Sequence, residues 1–175
     1  MDGKCPCYKN HTTKAICKND DLTSIPQDFL ASVMVLNLDR NDIKEIFDEQ
    51  LARYKNIATL SLAQNKIRKI KKNQFSGHTA LKRMYVGTNG SSAKTYSLHV
   101  LFRYLAGNRI KSVHPSAFTG LENLRRVYLA NNSLSSLDLS MFRQNTNLTV
   151  LDFERNQLNF NANDTFSMSP GLDWM

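Results

Sequence analysis

Apolar residues along this chain alternate in short bursts, and the bursts recur at a fixed distance. Val33, Leu36 and Leu38 are followed by Asn41 and Ile43, and Ile57, Leu60 and Leu62 by Asn65 and Ile67. The pattern returns as Leu124, Val127 and Leu129 before Asn132 and Leu134, and as Leu148, Leu151 and Phe153 before Asn156 and Leu158. The step between copies is 24 residues, from 33 to 57 and from 124 to 148. Alternation at a spacing of two predicts a short strand with one face turned inward. A period in the twenties predicts that each copy is one turn of a solenoid, burying its apolar face only against its neighbours and adding one parallel strand to a concave sheet. The predicted architecture is an α/β right-handed solenoid with mostly irregular convex segments.

Counting from the first apolar residue of each copy, position nine is asparagine. Its amide can satisfy backbone groups that the turning chain leaves unpaired, so Asn41, Asn65, Asn108, Asn132 and Asn156 are expected to stack as a ladder. Ten residues after each asparagine stands Leu51, Phe75, Phe118, Phe142 or Phe166. A stripe with a fixed period and no polar companions reads as a packed spine rather than a ligand pocket.

The period breaks once. Leu81 and Leu124 are 43 residues apart, nineteen more than one repeat. Removing residues 86–104 joins Leu81, Met84 and Tyr85 to Leu105, Asn108 and Ile110 and restores the pattern, which predicts an insertion of the kind solenoids tolerate on their surface. A short repeat starting at Val100 is the competing reading, but it turns Arg103 into the core, where an unpaired charge is costly. Translated intron is a third. Repeats therefore start near 33, 57, 81, 124, 148 and 172, preceded by a cap over residues 1–32. Leu172 and Met175 fall on the first and fourth positions of the last copy, so the chain reads as C-terminally truncated.

A chain of 175 residues with 41% hydrophobic content supports one core and one domain. Its three cysteines, Cys5, Cys7 and Cys17, cluster at the start, which predicts a capping disulfide with one thiol left over. Zinc with His11 is the alternative, against which the C-x-C-x9-C spacing counts; no metal or cofactor is expected. No apolar run approaches the roughly 18 residues of a membrane span, and the start lacks a signal-peptide core, so any tether or export signal is expected outside this chain. Five N-x-S/T sequons, at Asn10, Asn89, Asn131, Asn147 and Asn163, fit an extracellular glycoprotein.

The balance of 23 basic to 15 acidic residues, a formal charge of +8, favours acidic partners. Outward positions of the predicted sheet supply candidates: Asn37, Asp39 and Arg40; Thr59, Ser61, Ala63 and Gln64; Lys82, Arg83 and Tyr85; Arg125, Arg126 and Tyr128; Asp152, Glu154 and Arg155. Stacking puts Lys82 and Arg83 beside Arg125 and Arg126, and Tyr85 beside Tyr128, a basic and aromatic patch suited to an anionic partner. Asp152 and Glu154 form a paired-carboxylate candidate for gripping a basic side chain. The solvated-surface alternative is open for both. A basic run, Lys66, Arg68, Lys69, Lys71 and Lys72, lies after the second strand and makes anionic glycans a further candidate partner. Nucleic acid is not expected, since no recognised module is present. His11, His78, His99 and His114 are scattered and no catalytic motif occurs, so the chain is read as a binding protein and not an enzyme.

The spacing L-x-x-L-x-L-x-x-N-x-I, preceded by a cysteine cluster ending in Leu22-Thr23-Ser24-Ile25-Pro26, resembles the extracellular leucine-rich repeat family. That resemblance implies a disulfide between Cys5 and Cys17, a location on the outer face of the plasma membrane or in secretions, and recognition of a protein or peptide on the concave face. The C-x-C…C cap, the Asp152-x-Glu154 pair and Ser169-Pro170-Gly171-Leu172-Asp173-Trp174-Met175 resemble the ectodomains of relaxin-family peptide receptors, which are G-protein-coupled. The alternative is a secreted matrix or adhesion protein.

Overall fold

The computed structural model describes residues 13–18, 20–87 and 107–159, with the backbone of 173–174. Seven short strands build one parallel sheet: β1 (Lys14–Ile16), β2 (Val35–Asn37), β3 (Thr59–Ser61), β5 (Arg83–Tyr85), β7 (Arg126–Tyr128), β8 (Val150–Asp152) and β9 (Asp173–Trp174). A two-stranded parallel ladder, β4 (Lys69–Ile70) with β6 (Ser112–Val113), edges the second and third repeats. Register follows the repeat: Leu36, Leu60, Met84, Val127 and Leu151 lie opposite one another across the sheet.

The inward residues are buried as the alternation requires. Leu36, Leu38, Leu62, Met84, Val127, Leu129 and Leu151 have no exposed surface, and each such aliphatic side chain is worth about 1.5–3 kcal/mol of hydrophobic stabilisation. On the convex side the chain forms mostly turns, with one short helix, α1 (Asp48–Ala52), that buries Leu51, and one 3₁₀ turn over Leu139–Phe142. The aromatic spine is present: Phe75 and Phe118 stack with centroids 6.2 Å apart, and Phe118 and Phe142 at 5.0 Å. Phe166 lies outside the described residues.

The asparagine ladder runs through all five repeats. Each Nδ2 donates to the position-six carbonyl of its own repeat, for Asn65 that of Leu62 at 3.1 Å, and to the equivalent carbonyl one repeat back, Leu38 at 2.9 Å. Each Oδ1 accepts the position-eleven N–H of the preceding repeat, as from Ile43 to Asn65 and from Leu134 to Asn156. At least three bonds per side chain satisfy backbone groups that burial otherwise strands.

The ladder corrects the boundary of the interruption. Val86 is fully buried, and its carbonyl accepts from Asn108 Nδ2 at 2.7 Å, so Val86, not Leu105, fills position six of the third repeat. Gly87 and Gly107 then occupy positions seven and eight, both pressed on the fourth repeat: a β-carbon on Gly87 would stand 2.1 Å from the Ala130 carbonyl oxygen, and on Gly107 2.2 Å from that of Asn131. Only glycine permits this approach. Val86-Gly-Thr-Asn89 and Leu105-Ala-Gly-Asn108 both satisfy L-x-x-N, which is why spacing placed the start two residues early. Residues 88–106, Asn89 and the alternatives built on Val100 and Arg103 lie outside the described residues.

Register at the last strand also shifts. Trp174 pairs with Leu151, so Trp174 and not Met175 holds the fourth position, and the step from the fifth repeat to the last is 23 residues in place of 24. At the other end, β1 extends the sheet in register with β2, a strand the cap's irregular pattern concealed. Cys17 is buried and disulfide-bonded. Cys5 and Cys7 lie outside the described residues.

Candidate ligand-binding face

The parallel register brings outward positions three and five of neighbouring repeats into direct file. Arg83 stands opposite Arg126 and Tyr85 opposite Tyr128. The two phenol rings stack nearly flat, with centroids 4.7 Å apart and planes 5° from parallel. Stacking covers the lower ring, leaving Tyr128 7% exposed and Tyr85 half-buried. Burial raises both hydroxyls above the ordinary tyrosine range, outweighing the opposing pull of Arg83 and Arg126, so both stay neutral donors at physiological pH.

Lys82, Arg83, Arg125 and Arg126 are all exposed. The Lys82 carbonyl accepts the N–H groups of Arg125 and Arg126 at 2.9 and 3.1 Å, which holds the two dipeptides side by side. Arg83 and Arg126, each preceded by another exposed cation, therefore flank the stacked aromatic pair. The arrangement suits an anionic group that accepts from guanidinium forks while apolar surface rests on the open part of Tyr85, which Tyr128 supports from beneath. Met34, exposed at position two of the first repeat, shares the column of Lys82 and Arg125. It was missed because a methionine beside Val33 and Val35 reads as core.

Two acidic candidates differ from expectation. Asp39 is 4% exposed: its carboxylate accepts from Ser61 Oγ at 2.5 Å and from Ala63 N–H at 3.0 Å. It fastens the first repeat to the second and is not presented to a ligand. Asp152 is completely buried and accepts the Glu154 N–H at 3.0 Å, shaping the strand end as Asn37 does for Asp39. The paired-carboxylate grip is therefore corrected: only Glu154 retains exposure, and one of its oxygens is out of solvent without a hydrogen-bond partner.

Elsewhere on the sheet, Arg40 Nε donates to Gln64 Oε1 at 2.9 Å. His78 is buried on the convex side, its ring nitrogens 3.2 Å from the Phe75 carbonyl and 3.0 Å from that of Leu51, a core histidine. Of the sequons, Asn147 is exposed and Asn131 half-buried in a left-handed turn at φ 53°, while Asn10, Asn89 and Asn163 lie outside the described residues.

The sequence matches the profile of the Leucine rich repeat family over residues 31–90, 103–158 and 122–175, most of the chain. The chain belongs to the leucine-rich repeat family. Among solved structures it is similar to an internalin (inlF) from Listeria monocytogenes, with a TM-score of 0.57 and 21% identity over 82% of this chain, and it spans 34% of that one. That likeness is one of fold. A search of curated proteins gives no match. Leucine-rich repeat domains are protein-interaction scaffolds, and in this one the concave sheet carries exposed cations at Lys82, Arg83, Arg125 and Arg126. No helix among the described residues is long and apolar enough to cross a membrane.

Proposed function

We propose that this chain is the ligand-recognition portion of a cell-surface receptor ectodomain, binding an acidic protein or peptide on its concave face. The observation that carries the reading is the Tyr85–Tyr128 stack edged by Arg83 and Arg126. Aromatic and arginine side chains on a rigid sheet have the composition of interface hot spots, and a repeat fold presents them without loop ordering to oppose association. The disulfide at Cys17 and the exposed sequon at Asn147 support an extracellular setting. The narrower reading, a G-protein-coupled hormone receptor of the relaxin family, leans on the cap and on Ser169–Met175. In that reading Glu154 alone meets a basic hormone residue.

Phage-displayed random peptides selected on the immobilised full chain test the proposal. Enriched peptides should carry acidic residues beside aromatic or aliphatic ones and lose at least tenfold in affinity for Arg83→Glu/Arg126→Glu. Peptides without acidic bias, or equal binding to the double variant, would sink it.

A further inference from the structure

A second charged surface runs along the side of the solenoid, away from the tyrosine pair. After each asparagine the chain leaves the sheet edge, and positions eleven and fourteen turn inward: Ile67 and Ile70 of the second repeat and Ile110 of the third are buried. Positions ten, twelve and thirteen between them face out. Position twelve holds Lys44, Arg68 and Lys111 in three consecutive repeats, all exposed. Arg109 and Lys69 flank this column, both exposed as well.

Backbone bonds fix the spacing of these cations. Arg109 N–H donates to the Ile67 carbonyl at 3.0 Å and Lys111 N–H to that of Arg68 at 2.9 Å, while Lys69 pairs with Ser112 in the β4–β6 ladder. Neighbouring repeats are thereby held roughly 5 Å apart. The acids nearby are already engaged: Asp42 pairs with Lys66 at 2.7 Å and Glu45 with Lys71. Among the described residues no ion pair offsets the other five.

We infer that this ridge is a binding site for a linear sulfated polysaccharide, distinct from the concave face. A straight file of cations at a fixed repeat matches a chain bearing anions at regular intervals, and several weak contacts held in register add to useful avidity. A protein partner fits less well, since the five positions of the file are all cationic and supply no apolar anchor. Single-stranded nucleic acid fits less well too, because none of the five positions offers an aromatic platform for bases, and a disulfide-bonded chain belongs to an oxidising compartment.

The test is chromatography of the full chain on immobilised heparin, with a titration of a defined heparin oligosaccharide. Arg68→Glu/Lys69→Glu/Lys111→Glu should lower the eluting salt and raise Kd at least tenfold. Lys14→Glu/Lys55→Glu/Arg143→Glu, with the same change in net charge on exposed positions off the ridge, should shift Kd less than threefold. Thermal unfolding shows that each variant is folded. Equal losses in the two triple variants would reduce the effect to net charge and overturn the site. Undiminished binding of N- and O-desulfated heparin, or equal competition by a single-stranded oligonucleotide, would overturn the assignment to sulfated glycan.

Discussion

Repeats one and two treat their outward strand positions differently from repeats three and four. In the first pair the polar groups close on one another: Asn37 accepts the Asp39 N–H, Asp39 takes Ser61 and Ala63, and Arg40 reaches Gln64. In the second pair position five holds the stacked rings of Tyr85 and Tyr128, and position three holds Arg83 and Arg126, which face solvent with no ion pair among the described residues. One scaffold geometry therefore does two jobs. Where short polar side chains occupy the columns, neighbouring repeats are tied together; where long cations occupy them, charge is left for a partner. Removing a group from the first kind of column should cost stability and little binding, and from the second kind binding and little stability.

The largest effect expected lies beneath both regions, which share one core. Phe118→Ala empties the centre of the aromatic spine and should destabilise by about 3–5 kcal/mol, read as a lowered denaturant midpoint. A loss below 1 kcal/mol would mean the rings do not pack as a unit. Asn108→Ala removes two donors and the acceptor for the Ile67 N–H, at roughly 3 kcal/mol for several stranded buried groups. Asn89→Ala, at the competing L-x-x-N, should change the midpoint very little; the reverse order would overturn the ladder assignment.

Asp39 sharpens the comparison further. Burial raises its carboxyl above the usual carboxylate range, more than its hydrogen bonds lower it. The folded form then binds a proton more readily than the unfolded chain, so this residue's contribution to stability is largest in acid and declines as pH rises through the folded value. Asp39→Asn keeps an acceptor for Ser61 and Ala63 and should flatten that pH dependence with stability at pH 7 unchanged or slightly raised. Asp39→Ala should cost about 1–3 kcal/mol by leaving both donors unpaired. Urea titrations at pH 4 to 8 distinguish them, and identical pH profiles for the wild type and the asparagine variant would refute the account. The smallest stability effect belongs to Arg83→Gln/Arg126→Gln, within about 0.5 kcal/mol, with a clear loss of acidic-peptide binding. A large fall in stability with binding retained would invert the contrast.

Much of the scaffold was legible from residue spacing because a repeat states its own rule. Alternation and period together give the parallel register of β2, β3, β5, β7 and β8, and an asparagine at the ninth position of each repeat can only stack. The candidate site was half legible: like positions in successive repeats become neighbours, so the Tyr85–Tyr128 and Arg83–Arg126 files followed from counting. Spacing could not tell a presented carboxylate from one consumed within the fold, Asp39 by the adjacent repeat and Asp152 by its own strand end, since both occupy outward positions.

What the sequence determined by itself was the repeat length, the inward and outward sides of each strand and the identity of the ladder, because these depend on local periodicity alone. Tertiary structure decided that Val86 enters the core, that β1 joins the sheet, and which outward charges remain open. Each of those turns on contact between residues of different repeats, where the β-carbon absent from Gly87 or the reach of Asp39 to Ser61 has no counterpart in the spacing.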